Sequence, residues 1–343
     1  MRALLSWDQF DAAHGWHSEA AAVDGAPATI LLGPEAAAPA PFAEAVPSWA
    51  ATTPGGSRIE LQLRARRDGR WTAFYRIAQW DSLAENSARR SFDAQQDADG
   101  RVATDTLSLA GPADAVQPRV LLLGESERRT ELRALRLALS APGARATSPG
   151  RLTPRELPVP ARSQLAYPNG RNLCSPTCTG MLLAYWHAQT GDERLAPFAE
   201  RGAVADLVVP QVYDPVYDGH GNWGFNTAFA AGRGLDGYVA RFAGLDQLDP
   251  WLAAGVPLAI SVAWGAGELD NAPIPASAGH LLIVAGFDAQ GRVVVADPRG
   301  DDEGAVRRLY DAAQLERAWQ ANSSGTAYVI HPQGWPVPSL PRD

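Results

Sequence analysis

The sequence predicts a two-domain protein of α+β class: an antiparallel β-sandwich, a linker, and a second domain in which a helix precedes an antiparallel sheet. Three observations predict it. The 343 residues exceed what one hydrophobic core usually organises. From Ile59 to Leu139 the apolar residues come in short runs separated by turn residues. After residue 161 the texture changes to a helical apolar run followed by strand-like runs. The boundaries are read as 1–145 for the sandwich, 146–161 for the linker and 162–335 for the second domain.

Taking the elements in order, IELQLRAR (59–66) sets Ile59, Leu61 and Leu63 against Glu60, Gln62 and Arg64, the period of a half-buried strand. WTAFYRIAQW (71–80), VLLLG (120–124) and LRALRLALS (132–140) supply further runs, and Asp68-Gly69 and Asp99-Gly100 stand where hairpin turns belong. Arg64, Arg66 and Arg67 read as a solvated strand edge. Trp71, Tyr75 and Trp80 could form a sugar-stacking face, but their spacing does not keep to one strand face, which favours core packing.

Residues 141–161 are rich in Pro, Gly, Ser and Thr and carry no hydrophobic period, so they read as linker. Beyond it come an apolar helix near 176–189, an irregular aromatic stretch at 208–229, a short helix near 245–255, and strands at 257–263, 281–287 and 292–296. That order is an α+β arrangement.

Composition narrows the function classes. A formal net charge of -8 argues against nucleic acid or an anionic membrane as the main partner. All 30 basic positions are Arg, which fits a coding bias and carries no chemistry. The first residues run quickly into Asp8, Asp11 and His14, so no apolar signal core is visible, and no window is apolar enough to span a bilayer. The chain as written reads as cytoplasmic, although a mature secreted form would look the same. Nothing in the sequence calls for a cofactor or a metal.

The chemistry centres on SQLAYPNGRNLCSPTCTGMLLAYW, residues 163–186. Pro176 suits the first turn of a helix that begins at Cys174. Cys178, Met181, Leu182 and Tyr185 then share one buried stripe, which makes Cys178 a core residue and Cys174 the thiol at the helix start. A thiol there meets the positive end of the helix dipole and unpaired N–H groups, which favour the thiolate. Gln164, across a Tyr-Pro-Asn-Gly turn, is placed to offer its side-chain amide to an oxyanion.

A base and its orienting carboxylate come from GHLLIVAGFDAQGRVVVADP, which places His280 at the start of one strand and Asp297 at the end of the next. A hairpin loop with an even number of residues would set Asp297 opposite Leu282, on the same sheet face as His280 and diagonal to it. That supplies nucleophile, base and orienter. His220 in DGHGNW is a rival base with only Asp218 for a partner. Asn222, Trp223, Phe225 and Asn226 are either a loop lining the cleft or an Ω-loop packed on its own aromatics; Asn222 and Trp223 are the cleft candidates.

The stretch from Gln164 through CSPT, GNWGFN at 221–226, and GHLLIVAGF with VVVADP resembles the papain-fold cysteine peptidases of family thirty-nine, related to bacteriocin-leader-processing peptidases. More narrowly, it resembles their stand-alone bacterial relatives. The resemblance spans roughly residues 160–332. It implies a papain-like domain, Cys174 as nucleophile, His280 as base and acid, Asp297 as orienter, Gln164 as oxyanion donor, and a peptide or protein substrate. The N-terminal half resembles the β-sandwich that precedes this domain in some secreted relatives, where a glycan or cell-surface contact is a further partner class. The competing reading is a non-catalytic module that binds glycan or protein on the same scaffold.

Overall fold

The alternating and β-branched runs of the first half fold into eleven strands, all paired antiparallel. The computed structural model describes residues 2–82, 87–124, 130–141, 150 and 152–340. In chain order the strands are β1 (Arg2–Trp7), β2 (His17–Val23), β3 (Ala26–Leu32), β4 (Ala36–Thr52), β5 (Arg58–Arg67), β6 (Arg70–Trp71), β7 (Tyr75–Trp80), β8 (Arg90–Ser91), β9 (Gly100–Ala103), β10 (Thr106–Leu123) and β11 (Glu131–Ser140). Their order is β1-β11-β4-β10-β5-β7-β8, with β2, β3, β6 and β9 attached beside this path. The long strands β4 and β10 join everything into one hydrogen-bonded sheet that closes over Phe42, Leu63, Ile77, Leu107, Val116 and Leu137.

Asp68-Gly69 makes the predicted hairpin turn, with both residues at positive φ. β5 is not the solvated edge the arginines suggested. It lies between β10 and β7, so both of its backbone edges are paired. Glu60 is buried against Arg76, Arg67 bonds Asp99, and the Arg64 guanidinium sits 4.8 Å over the Trp71 ring. Tyr75 and Trp80 are core residues, which leaves no exposed aromatic row with Trp71.

Of the linker, residues 142–149 and 151 lie outside the described residues. Its far end is already part of the second sheet: β12 (Arg155–Glu156) pairs with β15. That sheet comprises β12, β13 (Leu235–Arg241), β14 (Leu258–Trp264), β15 (Ser277–Phe287), β16 (Val293–Ala296), β17 (Arg307–Tyr310) and β18 (Thr326–Pro332). Its order is β13-β18-β14-β15-β16-β17. Helices are α1 (Cys174–Thr190), α2 (Val209–Val212), α3 (Trp223–Gly232), α4 (Asp249–Ala253) and α5 (Ala312–Ser323). The aromatic stretch read as irregular therefore contains α3, capped by the Asn222 side chain on the Phe225 N–H.

α1 starts at Cys174 and stops at Gly191, which takes the left-handed conformation at φ 67° and returns its N–H to His187. Every residue from Ser175 to Trp186 is buried, so the helix runs through the core and presents no single apolar stripe. Its apolar neighbours supply the burial that an amphipathic surface helix would find on one side only.

The two halves share one continuous core. Trp49 of β4 and Trp80 of β7 pack on Phe225 of α3 at 6.1 and 5.4 Å between ring centroids. The Ser48 hydroxyl accepts from the Val239 N–H, and Arg241 donates to Glu44 at 2.6 Å. Gly224 leaves room for the Trp49 ring, since a Cβ there would lie 2.8 Å from it. Gly224→Ala is therefore expected to cost about 1–3 kcal/mol by overpacking. It should lower the urea midpoint of a single transition seen alike by tryptophan fluorescence and far-UV circular dichroism; two separated transitions would contradict the shared core.

Candidate active site

The helix start and the β15/β16 hairpin meet in a cleft of about 650 Å³ whose walls include Cys174, His280, Trp223 and Arg299. Cys174 is partly exposed there and Cys178 is fully buried, its thiol directed to the Leu281 carbonyl. Burial raises the Cys178 thiol well above its ordinary pKa.

His280 Nε2 and Asp297 Oδ1 are 2.8 Å apart. Asp297 is completely buried and accepts two further bonds, from the Tyr310 hydroxyl at 2.6 Å and the Arg299 N–H at 2.9 Å. With Nε2 occupied, the other imidazole nitrogen is left for Cys174, which lines the same cleft. The Trp264 ring stands edge-on to the imidazole, 5.7 Å between centroids.

The electrostatics follow from this packing. Burial pushes the Cys174 thiol up, but the hydrogen bond and charge of His280, with the Leu281 and Ser175 N–H groups, outweigh it and hold the thiol below its ordinary value. Burial pushes His280 down, and the charge and hydrogen bond of Asp297, helped by Cys174, bring it up to about 10. Burial pushes Asp297 up, and His280 first, then Tyr310 and the Arg299 N–H, hold it below the usual carboxylate range. These directions favour a thiolate beside an imidazolium.

The route by which His280 and Asp297 meet differs from the even-loop premise. The loop spans residues 288–292, an odd number, and at its base Phe287 pairs with Val293 and Gly286 with Val294. Continued unbroken, that register would put Asp297 opposite Ile283, on the wrong face for His280. A β-bulge between Gly286 and Val284 inserts one residue, after which Val284 pairs with Val295 and Ile283 with Ala296. The extra residue restores the parity that the pair needs.

Gln164 sits elsewhere than expected. Its side-chain amide donates to the Gly170 and Arg171 carbonyls at 2.7 and 2.9 Å, and its own N–H bonds to the Pro298 carbonyl at 2.8 Å. Both amide hydrogens are committed and the side chain is buried, so Gln164 ties the turn before Cys174 to the loop after Asp297 and does not aim into the cleft. Asn222 also leaves the cleft wall: it is buried, capping α3 and bonding Asp214 at 3.0 Å, while Trp223 remains on the wall. Phe225 and Asn226 are buried too. His220 lines the cleft, but among the described residues no carboxylate lies within ion-pair distance of it, and burial lowers its pKa.

Tyr310 and Trp264 are the residues that sequence reasoning missed, since nothing local in RRLY or SVAW distinguishes them from core strand residues. Also missed was the wall of the cleft supplied by the first half, Ala103 to Thr106 at the β9/β10 turn.

With this geometry in place, comparison with known families is decisive. Residues 156–327 match the model of the Peptidase_C39 like family, half of the chain. The chain belongs to the Peptidase_C39 like family. Residues 26–140 match the model described as Peptidase C39 N-terminal domain, so both halves carry C39 signatures. Comparison with curated proteins finds no match. The C39-like domain is thus a papain-like cysteine peptidase fold, and no helix among the described residues is long and apolar enough to cross a membrane.

Proposed function

We propose that the protein hydrolyses peptide or amide bonds through a thioester on Cys174. The observation that carries this is the 2.8 Å bond from Asp297 to His280 behind a partly exposed thiol at the start of α1. The Cys174 thiolate attacks the substrate carbonyl carbon, and the oxyanion forms against the N–H groups at the α1 N-terminus. The His280 imidazolium gives its proton to the departing amine, and the carbonyl collapses to a thioester. Neutral His280 then takes a proton from water, whose oxygen attacks the thioester carbon; collapse releases the acid and restores the Cys174 thiolate beside the His280 imidazolium. Asp297 holds the ring in the tautomer and orientation this cycle uses, and Tyr310 holds Asp297. Gln164 acts on the reaction as a positioning residue, through the two loops it joins.

A peptide library incubated with wild type and with Cys174→Ala, and read by mass spectrometry, tests the reading. Cleavage by wild type alone, with hydroxylamine trapping the acyl group as a hydroxamate, is expected. Equal cleavage by both, or a Cys174 thiol that iodoacetamide alkylates no faster than a free cysteine, would sink it.

A further inference from the structure

The first domain does more than pack against the second: the β9/β10 hairpin reaches into the cleft that holds Cys174 and His280. Ala103 pairs with Thr106, so Thr104 and Asp105 form the two-residue tip. Thr104 is held at φ 53°, a conformation that β-branched residues rarely take, and its N–H is bonded by the Asp93 side chain. Strain that is held in this way fixes the position of the tip. Asp105, Thr106 and Ser108 line the cleft beside Trp223.

Asp105 is a buried carboxylate that forms no ion pair: burial raises its pKa to about 6, and the Arg241 charge that reaches it belongs to a guanidinium already bonded to Glu44. It accepts from the Trp223 N–H at 2.6 Å and meets the Thr106 hydroxyl at 3.1 Å. Among the described residues no arginine or histidine nitrogen lies within 4.0 Å of it. Arg171 and Arg299 also line the cleft, and among the described residues neither forms an ion pair with Asp105. Buried charges are ordinarily paired. A carboxylate on the cleft wall that forms no ion pair within the chain is placed to receive a cation of the ligand.

We propose that Asp105 of the N-terminal domain selects a substrate residue with a cationic side chain, of the lysine and arginine class, seated against the β9/β10 hairpin. The assignment rests on the peptidase reading for the nature of the ligand, but its test does not require turnover. An ammonium or guanidinium there gains a charge-assisted hydrogen bond that a neutral side chain cannot make. Asp105 is thus a specificity residue donated across the domain boundary. The core shared by the two halves holds this hairpin against the cleft.

The experiment measures binding to the full chain carrying Cys174→Ala. Acetylated, amidated hexapeptide pools with Lys, Ala or Glu fixed at one position are titrated by calorimetry. The Lys pool is expected to bind at least about 10-fold tighter than the Ala and Glu pools at one position. Asp105→Asn, which keeps an acceptor for the Trp223 N–H, should abolish that preference, and Asp105→Ser, another acceptor of short reach, should do the same. Equal binding of Lys and Ala pools at every position, or a Lys preference that survives both substitutions, overturns the proposal. Lys-selective binding in a chain whose wild type cleaves nothing would count against the peptidase reading and leave this one standing.

Discussion

Asp297→Asn is expected to lower kcat/KM for peptide hydrolysis by about 10³–10⁴-fold while leaving the fold intact. The amide matches the carboxylate in shape and can still meet His280, so the loss reads the charge and the tautomer and not the packing. The pH dependence gives a second signature. In wild type the His280 proton is held up to about 10, so the alkaline limb of kcat/KM lies near there. The acid limb follows protonation of the Cys174 thiolate, whose pKa lies below the ordinary thiol value. Without the Asp297 charge, His280 releases its proton at lower pH, and the active window closes from its alkaline side.

Stability should follow the same two groups. His280 is raised from 6.5, so its contribution is complete below 6.5 and is lost as pH rises through about 10. Asp297 is lowered from 3.8, so its contribution is present above 3.8 and is lost as pH falls through its depressed value. Between 3.8 and 6.5 both are complete, and there the stability deficit of Asp297→Asn is greatest. Urea midpoints of wild type and variant at four pH values check the sign; an alkaline limb that stays in place in the variant would remove Asp297 from its role.

Gly286→Val is expected to do comparable damage by a different route. A Cβ at Gly286 would lie 1.9 Å from the Arg155 carbonyl oxygen and 2.9 Å from the Glu156 Cα. Backbone cannot yield as a flexible side chain does, so β12 must leave β15 or the bulge must move. Either event costs about 3 kcal/mol or more, at the upper end for overpacking with lost strand bonds. Loss of β12 breaks the 2.8 Å bond from the Leu157 N–H to Ala285, and a displaced bulge turns Asp297 from the His280 face. A lowered urea midpoint together with Cys174 alkylation slowed to the rate of an ordinary thiol is the expected pair of results. A variant of unchanged midpoint and undiminished thiol reactivity would show that the bulge does not set the register.

Family models match both halves, residues 26–140 and 156–327. Arg89, with its guanidinium on the Pro210 carbonyl, and Ser91, whose N–H meets Asp214, brace the loop that leads to Trp223. The cleft is therefore shaped from the sandwich side by two segments, this brace and the β9/β10 tip.

What the sequence determined by itself are the features whose causes lie close together along the chain. A proline in the first turn is a local signal for the start of α1 at Cys174, because its missing N–H costs nothing there. Two apolar runs joined by a short polar loop are enough to make the β15/β16 hairpin, with His280 and Asp297 toward its open end. Only the tertiary structure decided the rest. The parity of that hairpin depends on a bulge at Gly286, and the close backbone of β12, well over a hundred residues earlier, explains why glycine stands there. Gln164 was legible as a polar residue near the thiol, but the carbonyls that absorb its amide are exposed by a turn whose shape no local pattern states. Tyr310 reaches the site from a strand end and Asp105 from a hairpin tip, both of which look like any others in the sequence, because such a side chain acquires its partner only when distant segments are brought together.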